Sequence, residues 1–437
     1  MRNQKCKMQN SIFLCVSASL RCFLLFLSFT ALASAQDWAK PVLEQMQRLD
    51  LRDLGYPMVN EIPANSSAIT ALLAGRDGNV YGGTTGEAAS LFVFEPRTNK
   101  VRPLGRIAGQ QGIHHSLAED AAGNLYVGTG RSVIEEFRLT PGKPGEGHVD
   151  RLLWDDIRRH FAADPGGHLY RYRPAKSNAA VKLAQMDCEL EDLGIPVAHN
   201  AVYALTSNPA RGELYGLSYP EGHFFVRPIG QAKVKDLGPV DREIVFHGPE
   251  RHWRSLPRAL VCNRSGRVFT SGTGGRLVYY CPWAGKLVET DVHVPGDYYR
   301  AQFFQDHAVV ECFATARSGV IYGGTCDGYL FSFDPVKMKL VNLGKPRASR
   351  RVRCLSVGLN DKVYLVAGER SASRPCQAYC YDPAGGGFTE LGLLIVDRSP
   401  YYYWRGYQFD AMVTAADGTL YLGESERRSH LFLYIPE

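Results

Sequence analysis

Beyond residue 35 the chain has no apolar run of transmembrane length, no Cys-x-x-Cys pair and almost no net charge. The first absence leaves no later segment long enough to span a bilayer as a helix. The second removes the usual spacing of a zinc ribbon or a dithiol redox site, so zinc held by Cys326, Cys354, Cys376 or Cys380 has no motif behind it. The third needs a little arithmetic. All 437 residues together carry Lys plus Arg 50 against Asp plus Glu 44. Arg2, Lys5, Lys7 and Arg21 lie in residues 1–35, which contain no acid. Without them the balance is 46 against 44, too even for bulk attraction to a polyanion such as nucleic acid. With 45% hydrophobic and 22% charged residues the chain is not a disordered tail or a coiled coil.

Residues 1–35 read as a secretory signal. A basic start precedes the apolar run Cys22–Leu32, and Ala33-Ser34-Ala35 supplies the small residues of a cleavage site. The expectation is a secreted or periplasmic protein of residues 36–437, with no stable membrane insertion after cleavage. An uncleaved anchor over Ile12–Ala35 is the alternative, interrupted by Arg21. Eight of the 11 Cys lie outside the signal. An even number in an oxidising compartment invites disulfides, yet most fall inside predicted strands. Cys312 and Cys354 take the same inner-strand position in neighbouring repeats, so packing by a small residue is the expected role.

What is present in quantity is glycine, 44 residues, much of it in a repeat. The template runs apolar strand, Gly turn, a strand such as Val80-Tyr-Gly-Gly-Thr84, a loop, an aromatic-alternating strand ending in Pro, and a strand ending Leu-Gly, from which blade four diverges at Lys286-Leu-Val-Glu-Thr290. The third strand recurs from Leu91-Phe-Val-Phe-Glu-Pro96 to Leu431-Phe-Leu-Tyr-Ile-Pro436, seven times. Period-two alternation and a following turn make each a half-buried strand. The last unit lacks its fourth strand, and a spare copy, Leu51-Arg-Asp-Leu-Gly55, stands near the other end of the chain. Pairing the two removes an exposed edge. The predicted fold is all-β, a seven-bladed β-propeller whose last blade is closed by an N-terminal strand at 51–55.

In such a blade the start of inner strand A and the B–C loop share one end, where the central channel opens. Aligned across the blades, one inner-strand position reads Thr70, His115, Tyr203, Arg258, Glu311, Arg353 and Asp410. The next reads Ala71, Ser116, Ala204, Ala259, Cys312, Cys354 and Ala411. Strand alternation would turn the first set to the channel and the second to the packing between blades. A wet channel with a solvated polar lining fits that pattern, but it does not require His, Tyr and two Arg together. Loops and flanks at the same end add His114, Arg131, His199, Asn200, Tyr219, His223, Arg276, Arg427 and His430 as candidate ligand contacts. Arg, His and Tyr at one mouth suit carboxylate or sulfate groups. A long insertion in the blade-two B–C loop, 131–167, reads as a lid or a decorative loop, and a basic aromatic stretch at 241–256 lies at the same end.

Uronic acids are cleaved by β-elimination. A base takes the C5 proton, an acid protonates the departing oxygen, and a cation meets the carboxylate. His115, Tyr203 and Arg258 on consecutive blades supply that set. Glycosidases use paired carboxylates, and Glu311 and Asp410 lie two blades apart. The propeller, its Gly-Gly-Thr strands, and His115 and Tyr203 on consecutive inner strands resemble the seven-bladed polysaccharide lyases, the ulvan lyases in particular. That resemblance implies a secreted enzyme acting on an acidic polysaccharide or oligosaccharide, with His and Tyr transferring protons and Arg on the uronate. No cofactor is required, export argues against a nucleic-acid partner, and a structural metal has no motif to support it. The Arg in blade three's B–C loop is replaced by Tyr219, leaving Arg131 or Arg258 for its role. A non-catalytic propeller binding glycan or protein at the same mouth, and a glycosidase on the same scaffold, are the alternatives.

Overall fold

The computed structural model describes residues 49–54, 62–131, 159–174, 189–241, 256–297, 307–347, 351–368, 376–397, 403–426 and 428–437. The signal at 1–35, much of the insertion at 131–167, Arg427 and residues 242–255 of the basic aromatic stretch lie outside them.

Seven four-stranded antiparallel sheets stand around a central axis. Blade one is built from Ala68–Ala74, Val80–Thr85, Ala89–Glu95 and Lys100–Ile107, strands A to D from the axis outward. Blades two to six repeat this order, starting from inner strands Leu117–Glu119, Ala201–Asn208, Val261–Cys262, Val310–Thr315 and Val352–Val357. Blade seven has Phe409–Thr414, Leu420–Glu424 and His430–Tyr434, and its outer strand is Leu49–Asp53. Leu51 pairs with Phe432 and Asp53 with His430. The predicted closure is therefore the observed one, and Leu49, Leu51 and Leu54 are buried in it. Blade four, whose Leu-Gly signal is missing, still has a full outer strand, Lys286–His293.

The Gly-Gly-Thr strands now have a physical reason. A Cβ on Gly82, Gly216 or Gly323 would fall 2.0–2.2 Å from the ring of Phe92, Phe225 or Phe331 on the same blade's strand C. One on Gly83, Gly128, Gly324 or Gly423 would fall 2.3–2.5 Å from Ile113, Val202, Val352 or Ile69 of the following blade. The first glycine admits the blade's own aromatic, and the second admits the neighbouring blade. Gly423 against Ile69 closes the ring from blade seven to blade one. Among the cysteines, Cys262, Cys281, Cys312, Cys354 and Cys380 are free thiols. Cys312 Sγ donates to the Val352 carbonyl of the next blade at 3.3 Å, a packing role between blades.

Candidate functional site

Simple alternation does not place the seven aligned side chains at the axis. In five inner strands the register with strand B slips by one residue, and the residue left over is Thr70, Tyr203, Glu311, Arg353 or Asp410. A bulge bends the strand and re-aims the extra side chain. His115 and Arg258 just precede the short inner strands of blades two and four. There the backbone bonds to the neighbouring blade: His115 N–H donates to the Tyr203 carbonyl at 2.9 Å and Arg258 N–H to that of Val310 at 3.0 Å.

Arg258 occupies the middle. Its Nε and Nη2 donate to His115 Nε2 at 2.9 and 2.7 Å, Nη1 donates to Glu311 Oε2 at 2.9 Å, and Nη2 also to Asp410 Oδ1 at 3.0 Å. One guanidinium from blade four thus touches blades two, five and seven. Arg353 donates to the same Asp410 oxygen through Nε at 2.9 Å and through Nη2, while Gln408 Nε2 donates to the other oxygen at 3.1 Å. Arg351 Nη2 donates to Glu311 Oε2 at 2.7 Å. Arg258, Glu311, Arg351, Arg353 and Asp410 are all buried, and His115 is half-buried. The wet channel lined by separate solvated groups is thus replaced, at this level, by a buried ion-pair network. The second Glu311 oxygen is buried with no partner among the described residues.

The charges follow from the packing. Burial, then the adjacent Arg258 guanidinium, holds the His115 imidazole well below its usual range, so it is neutral with Nε2 as acceptor. Burial alone would raise the Asp410 carboxyl, but Arg353 and Arg258 outweigh it and keep it ionised well below the usual carboxylate range.

Tyr203 is buried beside this network. Its ring centroid lies 5.8 Å from His115, 5.7 Å from His114 and 5.3 Å from Tyr219. His114 Nε2 donates to the Arg131 carbonyl at 2.9 Å. His199 adopts a left-handed φ of 58° and donates from Nδ1 to the Asp164 carbonyl at 2.7 Å. Asn200 Oδ1 accepts from Glu221 N–H at 3.0 Å and Ser218 Oγ at 3.1 Å, shaping the B–C turn of blade three.

Three other candidates lie farther out along the blade, against strand-D carboxylates. His223 pairs with Asp236 at 2.9 Å, the exposed Arg276 lies 3.9 Å from Glu289, and His430 Nε2 reaches Asp53 at 3.1 Å. A residue opening strand C is two strands from the axis, so a shared end of the molecule does not make a shared site. His430 also contacts Glu424 through Nδ1 at 3.0 Å and packs its ring 4.3 Å from that of Trp404. Sequence reasoning missed Arg351, which lies two residues before the aligned Arg353. Its φ of 62°, uncommon for a non-glycine residue, brings it beside Glu311, and no periodic pattern signals that turn.

No known family model matches the sequence, and no curated protein matches it either. Solved structures do match in fold. A streptogramin B lyase is 8% identical, with 90% of this chain and 99% of that one covered and a TM-score of 0.58. The extracellular domain of the putative one component system BT4673 from B. thetaiotaomicron is 12% identical over 89% of this chain and 40% of that one, with a TM-score of 0.52. The WD40 β-propeller domain of Doa1 is 11% identical over 89% and 98%, with a TM-score of 0.51. Likeness at this level bears on the propeller alone.

Proposed function

We propose that this chain is a secreted polysaccharide lyase that cleaves a uronate-containing acidic glycan by β-elimination at the channel mouth. The observation that carries the reading is the convergence of a neutral His115, Tyr203 and the Arg258 guanidinium, from three consecutive blades. Neutral imidazole is the form that accepts a proton, but its Nε2 lone pair is taken by Arg258. A uronate carboxylate is the stronger acceptor for that guanidinium. On binding it draws Arg258 away and frees Nε2 to take the C5 proton. The C5–H electrons form the C4=C5 double bond, the C4–O bond breaks, and Tyr203 protonates the departing oxygen. The Glu311 oxygen that has no partner among the described residues is an acceptor suited to a sugar hydroxyl.

One solved propeller of like fold is itself named a lyase, which is compatible with elimination on this scaffold and no more. The burial of Tyr203 and Arg258 favours the second reading, a propeller that binds glycan or protein without turning it over. A glycosidase has less behind it, because Glu311 and Asp410 are both engaged by guanidinium groups. The test is incubation of the protein with a panel of uronate polysaccharides, following ultraviolet absorbance of the unsaturated product. His115→Ala and Tyr203→Phe should abolish the product while retaining ligand affinity. No product on any substrate moves the assignment to the binding module.

A further inference from the structure

The C-terminal limb of the blade-two insertion, Arg159–Gly167, returns to the mouth and seats two groups beside the proposed proton-transfer pair. Phe161 is buried, its ring centroid 5.3 Å from Tyr219, which is itself 5.3 Å from Tyr203. Three residues later Asp164 Oδ2 accepts from Arg131 Nε at 2.7 Å. The Arg131 and Asp164 side chains keep 29% and 21% of their exposure, so a dissolved anion can reach that pair. Arg131 Nη1 donates to the His160 ring at 3.2 Å, and Gly166 N–H donates to Asp164 Oδ1 at 2.9 Å. Gly166 has a φ of 123°, and a Cβ on Gly167 would lie 1.8 Å from the Thr129 carbonyl oxygen, so the limb ends in a close backbone approach that requires glycine.

Taken together, the limb presents an apolar ring to the Tyr219 ring, edge to face at 67°, and a carboxylate to an arginine. A uronic acid residue carries a carboxylate on a puckered ring whose C–H groups pack on aromatic side chains. We propose that Phe161 and Asp164 are a built-in stand-in for the ligand: the ring holds the place of a pyranose on Tyr219, and the carboxylate holds that of the uronate on Arg131. Binding of an acidic oligosaccharide then requires the limb to lift, and lifting it uncovers Tyr219, the ring that packs on Tyr203. The chemistry of the displaced groups defines the ligand class as a sugar ring bearing a carboxylate. This rests on the reading above only in taking the mouth as a glycan site; it holds with or without turnover.

Competition gives the test. Affinity of the full chain for a galacturonate or glucuronate oligosaccharide, and for its neutral counterpart, is measured by calorimetry for the wild type, Phe161→Ala and Asp164→Asn. Asp164→Asn should tighten uronate binding about tenfold and leave neutral-sugar binding unchanged, whereas Phe161→Ala should tighten both, because any sugar ring competes with Phe161 for Tyr219. Unchanged or weaker uronate binding in variants whose circular dichroism and melting match the wild type overturns the proposal. So does equal tightening toward the neutral sugar in Asp164→Asn. A second measurement needs no variant. Saturating uronate oligosaccharide should raise hydrogen exchange across 159–167 in the wild type, whereas unchanged or reduced exchange there refutes lifting of the limb. Absence of unsaturated product with these binding results intact removes the lyase reading alone.

Discussion

Arg258→Met removes the one guanidinium that joins blades two, four, five and seven. Breaking a buried ion pair from one side costs about 3–5 kcal/mol, because the remaining charge keeps its desolvation penalty. Here both carboxylates retain another partner: Glu311 keeps Arg351 and Asp410 keeps Arg353. The expected loss is therefore at the low end, about 3 kcal/mol, still a large part of the ~5–15 kcal/mol that holds a domain folded. Arg258→Lys keeps the charge but cannot address His115, Glu311 and Asp410 with one rigid fork, so it should fall between. Guanidinium titration with linear extrapolation measures the difference, and an unchanged slope shows that the comparison is between like transitions. Proton NMR of His115 supplies a second reading. With Arg258 gone, its pKa should rise toward the ordinary value, since one of the causes holding it down is removed. A loss below about 1 kcal/mol in Arg258→Met, with an unmoved His115 titration, would falsify the assignment of Arg258 as the centre of the network.

Other consequences are shorter to state. Burial works against a charge on His430, but Asp53 and Glu424 outweigh it and raise its pKa above 6.5, while burial raises that of Glu424. A group raised on folding contributes its full stability below the unfolded value and loses it as pH rises through the folded one. Melting temperature should accordingly fall above about pH 6.5, and His430→Gln should flatten that part of the profile; an equally steep fall in the variant refutes the clasp. Gly423→Ala places a methyl 2.4 Å from Ile69 Cγ2 across the closing seam and should cost about 1–3 kcal/mol in chemical denaturation. Ile69→Ala in the same chain should recover part of that loss, and simple additivity of the two would show that the contact is not what matters.

Repetition made the fold legible. Seven copies of one aromatic strand, and a fourth strand missing at one end and spare at the other, are sufficient for blade number and closure. The axis position was legible for the same reason, because one alignment column collects His115, Tyr203, Arg258, Glu311, Arg353 and Asp410. What a column cannot carry is reach. Arg258 crosses the axis to Asp410, 152 residues away, and the alignment gives no length or direction for that guanidinium. Radius was lost as well: His223, Arg276 and His430 share an end of the molecule with His115 but meet strand-D carboxylates, because each follows its B–C loop outward. Arg351 depended on a backbone turn at φ 62°, which its residue type does not announce.

The axial network and the proposed chemistry draw on the same atoms, and that constrains both. The charge of the Arg258 guanidinium is met by Glu311 and Asp410, while its Nε and Nη2 donors toward His115 meet an acceptor that carries no charge. Exchange of that bond for a uronate carboxylate goes in the favourable direction, from ion–dipole to ion–ion pairing in a site of low polarity. The bonds to Glu311 and Asp410 hold the guanidinium near the axis while the exchange occurs. The His115 contact is the one that must break before Nε2 can act as a base; the Nη1 bond to Glu311 is independent of it, whereas Nη2 serves His115 and Asp410 together.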